Sequence, residues 1–147
     1  MSILAEILEH KKTEIAAFDA QALRRAAESS PAPRDFLVAV SPLPKGEGLG
    51  VGVRLIAELK RASPSKGILA PHLNLFQVAE IYAENGASAI SVLTDEKFFM
   101  GKLQTLRDLH FERKIELPLL RKDFIIDEVK LYESRANGAD AVLLIAA

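Results

Sequence analysis

Apolar residues recur at three- and four-residue spacing from the start of the chain. Leu4, Ile7, Leu8 and Ile15 share one helical face, with Glu6, Glu9, Lys11 and Lys12 assigned to the other. Residues 3 to about 28 therefore read as helical, and Asp19 marks a second start as the N-cap of AQALRRAAES. The proline-containing SPAPRDF ends this region. Beyond residue 53 the pattern changes. RLIAELK is a short apolar run suited to a buried strand. LNLFQVAEIYAEN returns to helical periodicity through Leu75, Val78, Ala79 and Tyr82, with Gly86 as its stop. SAISVLT reads as a second strand, GKLQTLRDLHFERK as a helix on Leu103, Leu106 and Leu109, and LPLLRKDF as a third strand. DEVKLYESRANG is a third helix of this region, stopped by Gly138, and ADAVLLIAA a fourth strand. Strand starts near Leu55, Ala89, Pro118 and Ala141 are separated by helices throughout, the signature of successive βαβ units and a parallel α/β sheet.

Between the helical region and the first strand lies SPLPKGEGLGVG, residues 41–52, with four Gly and two Pro in twelve positions. This composition predicts a flexible surface loop. GEGLGVG lacks the GxxxxGK[ST] spacing of a phosphate loop, and no apolar strand runs directly into it. The chain thus divides into a helical extension (1–40), a Gly/Pro-rich insertion (41–52) and a βα region (53–147).

The 147 residues are 49% hydrophobic and 27% charged, a composition of soluble globular proteins. A formal charge of -1 gives no reason to expect a nucleic-acid partner, so any anion site must be local. With no Cys, disulfides, thiolate metal sites and a cysteine nucleophile are excluded, and the three His (His10, His72, His110) are too scattered to suggest a metal site. The first residues carry Glu6 and Glu9 inside their apolar stretch and no small-residue cleavage site, unlike a signal peptide. No apolar run approaches the roughly 20 residues of a membrane helix. A cytoplasmic protein without membrane partners is expected.

In parallel α/β folds, functional groups gather at the carboxyl ends of the strands. The first strand runs into IAELKRASPSKG, where alternation puts Glu58 and Lys60 on one face. They read either as a structural ion pair or as a site in which Lys60 holds an anionic group and Glu58 orients the ammonium. Ser63, Ser65 and Gly67 could build a phosphate-binding turn or an ordinary βα loop. At the second strand end, Thr94, Asp95 and Glu96 read as a helix cap, and Phe98 and Phe99 as loop aromatics that close over a ligand ring or plug a gap. Lys122 emerges at the end of the third strand, a candidate general acid if it meets other charges and a solvated lysine if it does not. The fourth strand offers only aliphatic walls.

Three blocks in this order, IAELKRASPSKG, SAISVLTDEKFFMG and LPLLRKDFIIDEVKLYESRANGADAVLLIAA, resemble those of the indole-3-glycerol-phosphate synthase family. The two amino-terminal helices resemble the extension that covers part of that family's active-site mouth. The resemblance implies a (β/α)8 barrel of TIM type. Its implied reaction converts 1-(2-carboxyphenylamino)-1-deoxyribulose 5-phosphate to indole-3-glycerol phosphate, carbon dioxide and water, with no metal or cofactor. It further implies that Lys122 is the general acid, that Lys60 binds the substrate's anionic groups, and that Glu58 holds Lys60 and the substrate hydroxyls. Ser63 would touch the phosphate or the neighbouring carboxylate, and Phe99, Phe124 and Leu143 would form the pocket for the anthranilate ring.

Two features depart from the family. The segment 41–52 stands where the family has a short connection, at a closure cost on the order of a kcal/mol or less. A barrel of this type takes about 200 to 250 residues or more, and this chain stops after its fourth predicted strand. The family's glutamate base, its substrate-positioning asparagine and serine, and most of its phosphate site would lie on the remaining strands. The chain alone is therefore expected to be inactive, and its open edges to drive self-association or pairing with a second half. A non-catalytic half-barrel module and one half of a split enzyme are the alternatives. Another phosphate-binding barrel enzyme is a third, opposed by ELKRASPSKG and LRKDF.

Overall fold

The computed structural model describes residues 2–42 and 53–146. Most of the Gly/Pro-rich segment, residues 43–52, lies outside the described residues, and with it the loop expected there.

The helical extension comprises α1 (Ile3–Ala16), α2 (Ala20–Glu28) and α3 (Phe36–Val40). Each starts at a side chain that accepts a hydrogen bond from an otherwise unpaired amide of the first turn: Ser2, Asp19 and Asp35. The Asp19 cap, bonded by the amide of Ala22 at 2.9 Å, divides the helical region predicted over 3–28 into α1 and α2. The α3 turn was not anticipated, because FLVAV is too short to develop a helical period.

The βα region contains β1 (Ile56–Leu59), a small hairpin of β2 (Ala62–Ser63) and β3 (Gly67–Ile68), α4 (Leu75–Glu84), β4 (Ala89–Leu93), α5 (Glu96–Phe99), α6 (Leu103–Phe111), β5 (Leu119–Lys122), α7 (Val129–Ala136) and β6 (Ala141–Val142). The four predicted strands form one parallel sheet in the order β1-β4-β5-β6, with Ile56 opposite Ala89, Ile90 opposite Leu119 and Leu120 opposite Ala141. The fold is thus α/β with a parallel sheet. One local expectation needs correction: Phe98 and Phe99 belong to the short helix α5 rather than a loop. Ser63 and Gly67 face each other across an antiparallel hairpin inside the first βα connection.

Register separates the two faces of the sheet. Leu59, Ile90, Val92 and Leu119 pack with Leu75, Ala79, Leu106, Leu109, Ile115 and Ala139 into the main core, filling the gap between strands and helices. Full burial of a Leu or Ile stabilises by about 1.5–3 kcal/mol. The other face carries Glu58, Ser91, Leu120 and Ala141 in one cross-strand row, and Leu93 and Lys122 in the next. Glu58 and Lys122 at the carboxyl ends are thereby directed away from the apolar core, whereas Arg121 shares the row of Leu59 and Val92 and points to the helix side.

The extension is anchored at the opposite end of the sheet. Arg34, between α2 and α3, donates to Asp140 from its backbone amide (2.8 Å) and Nε (2.9 Å), while Asp140 also accepts from the amide of Leu119 at 2.8 Å. Burial, reinforced by the Arg34 charge, lowers the pKa of His110, whose ring lies 2.6 Å from the guanidinium. Among the described residues no helix is long and apolar enough to cross a membrane.

Candidate functional site

At the carboxyl end of β1, Glu58 and Lys60 point to the same face, as alternation predicts, and pair at 2.7 Å. Lys122, two strands away at the end of β5, donates to the other oxygen of the same carboxylate. Glu58 therefore bridges two lysines from different strands. Burial pushes its carboxyl up, but the hydrogen bonds from Lys122 and Lys60 outweigh this and hold it below the ordinary carboxylate range. The side chains of Glu58 and Lys122 remain 27% and 39% exposed, so both stay open to a ligand.

Two adjoining cavities gather the other residues singled out in the sequence. The larger, about 530 Å³, is lined by Ser63, Pro64 and Ser65 from the hairpin, Phe99 and Phe124, and Ile3, Leu4 and Ile7 of α1. A smaller one of about 60 Å³ lies among Lys122, Phe99, Phe124 and Leu143, together with Leu93 and Asp95. The rings of Phe99 and Phe124 are tilted at 42° with centroids 6.2 Å apart, which makes them a shared wall of both spaces. The structure thus brings Lys122, Phe99, Phe124 and Leu143 to one cavity, Ser63 to its neighbour, and Glu58 and Lys60 to Lys122. Ser63 Oγ accepts from the Lys66 amide at 3.3 Å, a bond that closes the turn internally. Among the described residues no group of three or more His, Asp or Glu side chains is placed to hold a metal ion.

Sequence reasoning missed a second cluster on the helix side of the same strand ends. Lys11, assigned to the outer face of α1, is buried: its Nζ lies 2.8 Å from Asp95, 3.0 Å from Asp123 and 3.0 Å from Glu14. Arg121 reaches Asp123 and Glu133 at 2.8 Å each and donates to Thr94 Oγ1 at 3.0 Å, and Lys130 adds a further cation. Burial pushes the Asp123 carboxyl up, but the charges of Arg121, Lys130 and Lys11 outweigh it and hold the group well below the ordinary range. Burial likewise pushes Lys11 down, while the Asp123 charge and the bonds to Asp95 and Glu14 more than restore it. The signal was present in the sequence. Lys11 follows Leu4, Ile7 and Leu8 by seven, four and three residues, which places it inside the apolar stripe. The cap predicted at Thr94–Glu96 is real, with Asp95 Oδ1 accepting from the Phe98 amide at 2.7 Å.

The family model for indole-3-glycerol phosphate synthase matches residues 4–147. Similar curated proteins carry that same name. One from Chloroherpeton thalassium is 48% identical over the whole chain, which covers 56% of the relative's length. One from Desulforamulus reducens is 50% identical over 98% of the chain and 52% of its own length. A third, from Dehalococcoides mccartyi, is 59% identical over 67% of the chain and 38% of its own length. The chain spans about half the length of the first two relatives. With a family model matched along nearly its full length, the chain belongs to the indole-3-glycerol phosphate synthase family.

Proposed function

We propose that the chain carries the lysine-bearing part of an indole-3-glycerol phosphate synthase active site, on four of the eight βα units of a TIM barrel. Its substrate is 1-(2-carboxyphenylamino)-1-deoxyribulose 5-phosphate. In this reading residues 1–40 form the covering extension, 41–52 an insertion and 53–147 the barrel units, in a cytoplasmic enzyme. The observation that carries it is the Glu58 carboxylate held between Lys60 and Lys122 beside a cavity walled by Phe99 and Phe124.

The chemistry fits those groups. The ring carbon bearing the carboxylate attacks the ketose carbonyl, and the oxygen, gaining negative charge, takes a proton from Lys122. A cationic donor is most effective there because the apolar walls exclude water. Loss of carbon dioxide restores the aromatic ring, and the new hydroxyl then leaves as water. Lys60 binds the substrate's anionic groups, Glu58 orients both lysines and the substrate hydroxyls, and Ser63 meets the phosphate or carboxylate. Phe99, Phe124 and Leu143 receive the anthranilate ring. The proton lost in the dehydration needs a base. Glu58, kept ionised by two cations, is a poor one, so the base comes from another part of the barrel.

A partner is favoured by the sheet edges. Leu55 and Ile56 are exposed at the β1 edge and Leu144 and Ile145 just beyond β6, apolar surface that pairing with further strands would cover. Such pairing, with a second half or a second copy, is also what a split enzyme or a non-catalytic half-barrel module would use.

The test is a turnover assay. The 147-residue chain alone is expected to form little or no indole-3-glycerol phosphate, and its mixture with a chain supplying the remaining strands to form it. Lys122→Met in that mixture is expected to lower kcat by about 10²–10⁴-fold. Family-like turnover by the chain alone would overturn the incomplete-site reading. An unchanged kcat in Lys122→Met would overturn the role of Lys122.

A further inference from the structure

Lys11 is buried in a helix that otherwise lies over the surface of the sheet's carboxyl end. Its side chain is 2% exposed, and an ammonium is taken out of water at a cost that only close partners offset. Those partners hold the walls of the candidate site. Asp95, 2.8 Å away, caps α5, the helix that carries Phe99. Asp123, 3.0 Å away, stands between Lys122 and Phe124, and its Oδ1 also accepts from the Phe124 amide at 2.8 Å. One and two turns before Lys11, α1 contributes Ile7, Leu4 and Ile3 to the 530 Å³ cavity that Phe99 and Phe124 share. One ammonium therefore joins three of the four pieces of chain that enclose this cavity, the hairpin at Ser63–Ser65 being the fourth. None of the main core cluster comes from α1, so the sheet does not depend on this helix for its packing.

We propose that Lys11 is a positioning residue for the site: it clips α1 to Asp95 and Asp123 and so sets the shape of the cavity that receives the substrate's aromatic part. The assignment of that cavity rests on the function proposed above. Lys11 does not touch the reacting atoms. It acts through Phe99, Phe124 and the α1 roof.

Hydrogen exchange on the full chain, combined with titration of indole-3-glycerol phosphate, tests this. In Lys11→Met, α1 amides are expected to exchange about 100-fold faster or more, because two buried carboxylates lose a partner. Product affinity should fall about tenfold if the docked roof is populated about a tenth of the time. Because the single variant leaves buried charge uncompensated, Lys11→Met/Asp95→Asn is measured beside it. Asn keeps the α5 cap while removing one charge. In this double variant, amides of Ile90–Leu93 should keep their protection while α1 loses its own. Unaltered α1 protection, loss of both together in the double variant, or unaltered product affinity in the double variant would overturn the proposal. Product affinity is titrated in the mixture with a chain supplying the remaining strands; failure of the product to bind that mixture would instead count against the proposed function, and the exchange pattern of the chain would still decide whether Lys11 clips α1.

Discussion

Glu58 and Asp123 are both carboxylates kept charged by cations, but they serve different sides of the same strand ends. Glu58 faces the cavity side, half-buried between two lysines, whereas Asp123 is buried among Lys11, Arg121 and Lys130. Burial pushes both carboxyls up and the cations outweigh it, so both titrate lower in the folded chain than in the unfolded one. A depressed folded pKa means that the unfolded chain binds the proton more tightly. The stabilisation is then complete above the unfolded value of about 4 and is lost as pH falls through the folded value. Urea midpoints measured from pH 6 to pH 2 are expected to drop, and to drop less steeply in Asp123→Asn. Equal slopes in the two proteins would remove Asp123 from the account. At pH 7, Asp123→Asn is expected to cost about 3–5 kcal/mol, because it weakens the pairing of buried Lys11 and Arg121. Individual residues of this kind were unevenly legible. Glu58, Lys60 and Lys122 stood out because charges on an apolar strand need a reason. Lys11 and Arg121 carry the same kind of signal, a charge within an apolar stripe or strand, but neither shows from sequence which carboxylates it will meet.

At the scale of elements, helix stops illustrate what local sequence controls. Asn85 and Asn137 close α4 and α7, and Gly86 and Gly138 follow, each with φ of 86°. An added Cβ at Gly86 would meet nothing within 4 Å, whereas at Gly138 it would lie 2.5 Å from Cβ of His110. Gly86→Ala is therefore expected to cost about 1–2 kcal/mol from backbone strain alone, and Gly138→Ala distinctly more, as read from urea unfolding. Equal losses would mean that the α7 turn can move away from α6. The periodic elements were legible because each repeats its signal over eight or more residues or alternates along a strand. The α3 turn, the β2–β3 hairpin and α5 were not. With two to five residues each, they hold their shape through caps and neighbours rather than through their own pattern.

For the whole molecule, the sheet order β1-β4-β5-β6 leaves β1 and β6 at its edges, with exposed apolar residues at both. Gel filtration across a concentration series is expected to show association beyond a monomer, and Leu55→Lys/Ile56→Lys to reduce it by charging the β1 edge. A concentration-independent monomer with one cooperative unfolding transition would argue against edge pairing. The amino-acid sequence by itself determined the alternation of strands and helices, the parallel class of the sheet and the side on which Glu58, Lys60 and Lys122 emerge. Those properties follow from periods of 2 and 3.6 and from caps only a few residues away. Tertiary structure alone decided that two lysines converge on one carboxylate and that Phe99 and Phe124 form one wall. It also decided which groups Lys11 meets, Asp95 and Asp123, across more than eighty residues of chain. Such meetings depend on how strands are ordered and how α1 is laid across them, and no local period records that.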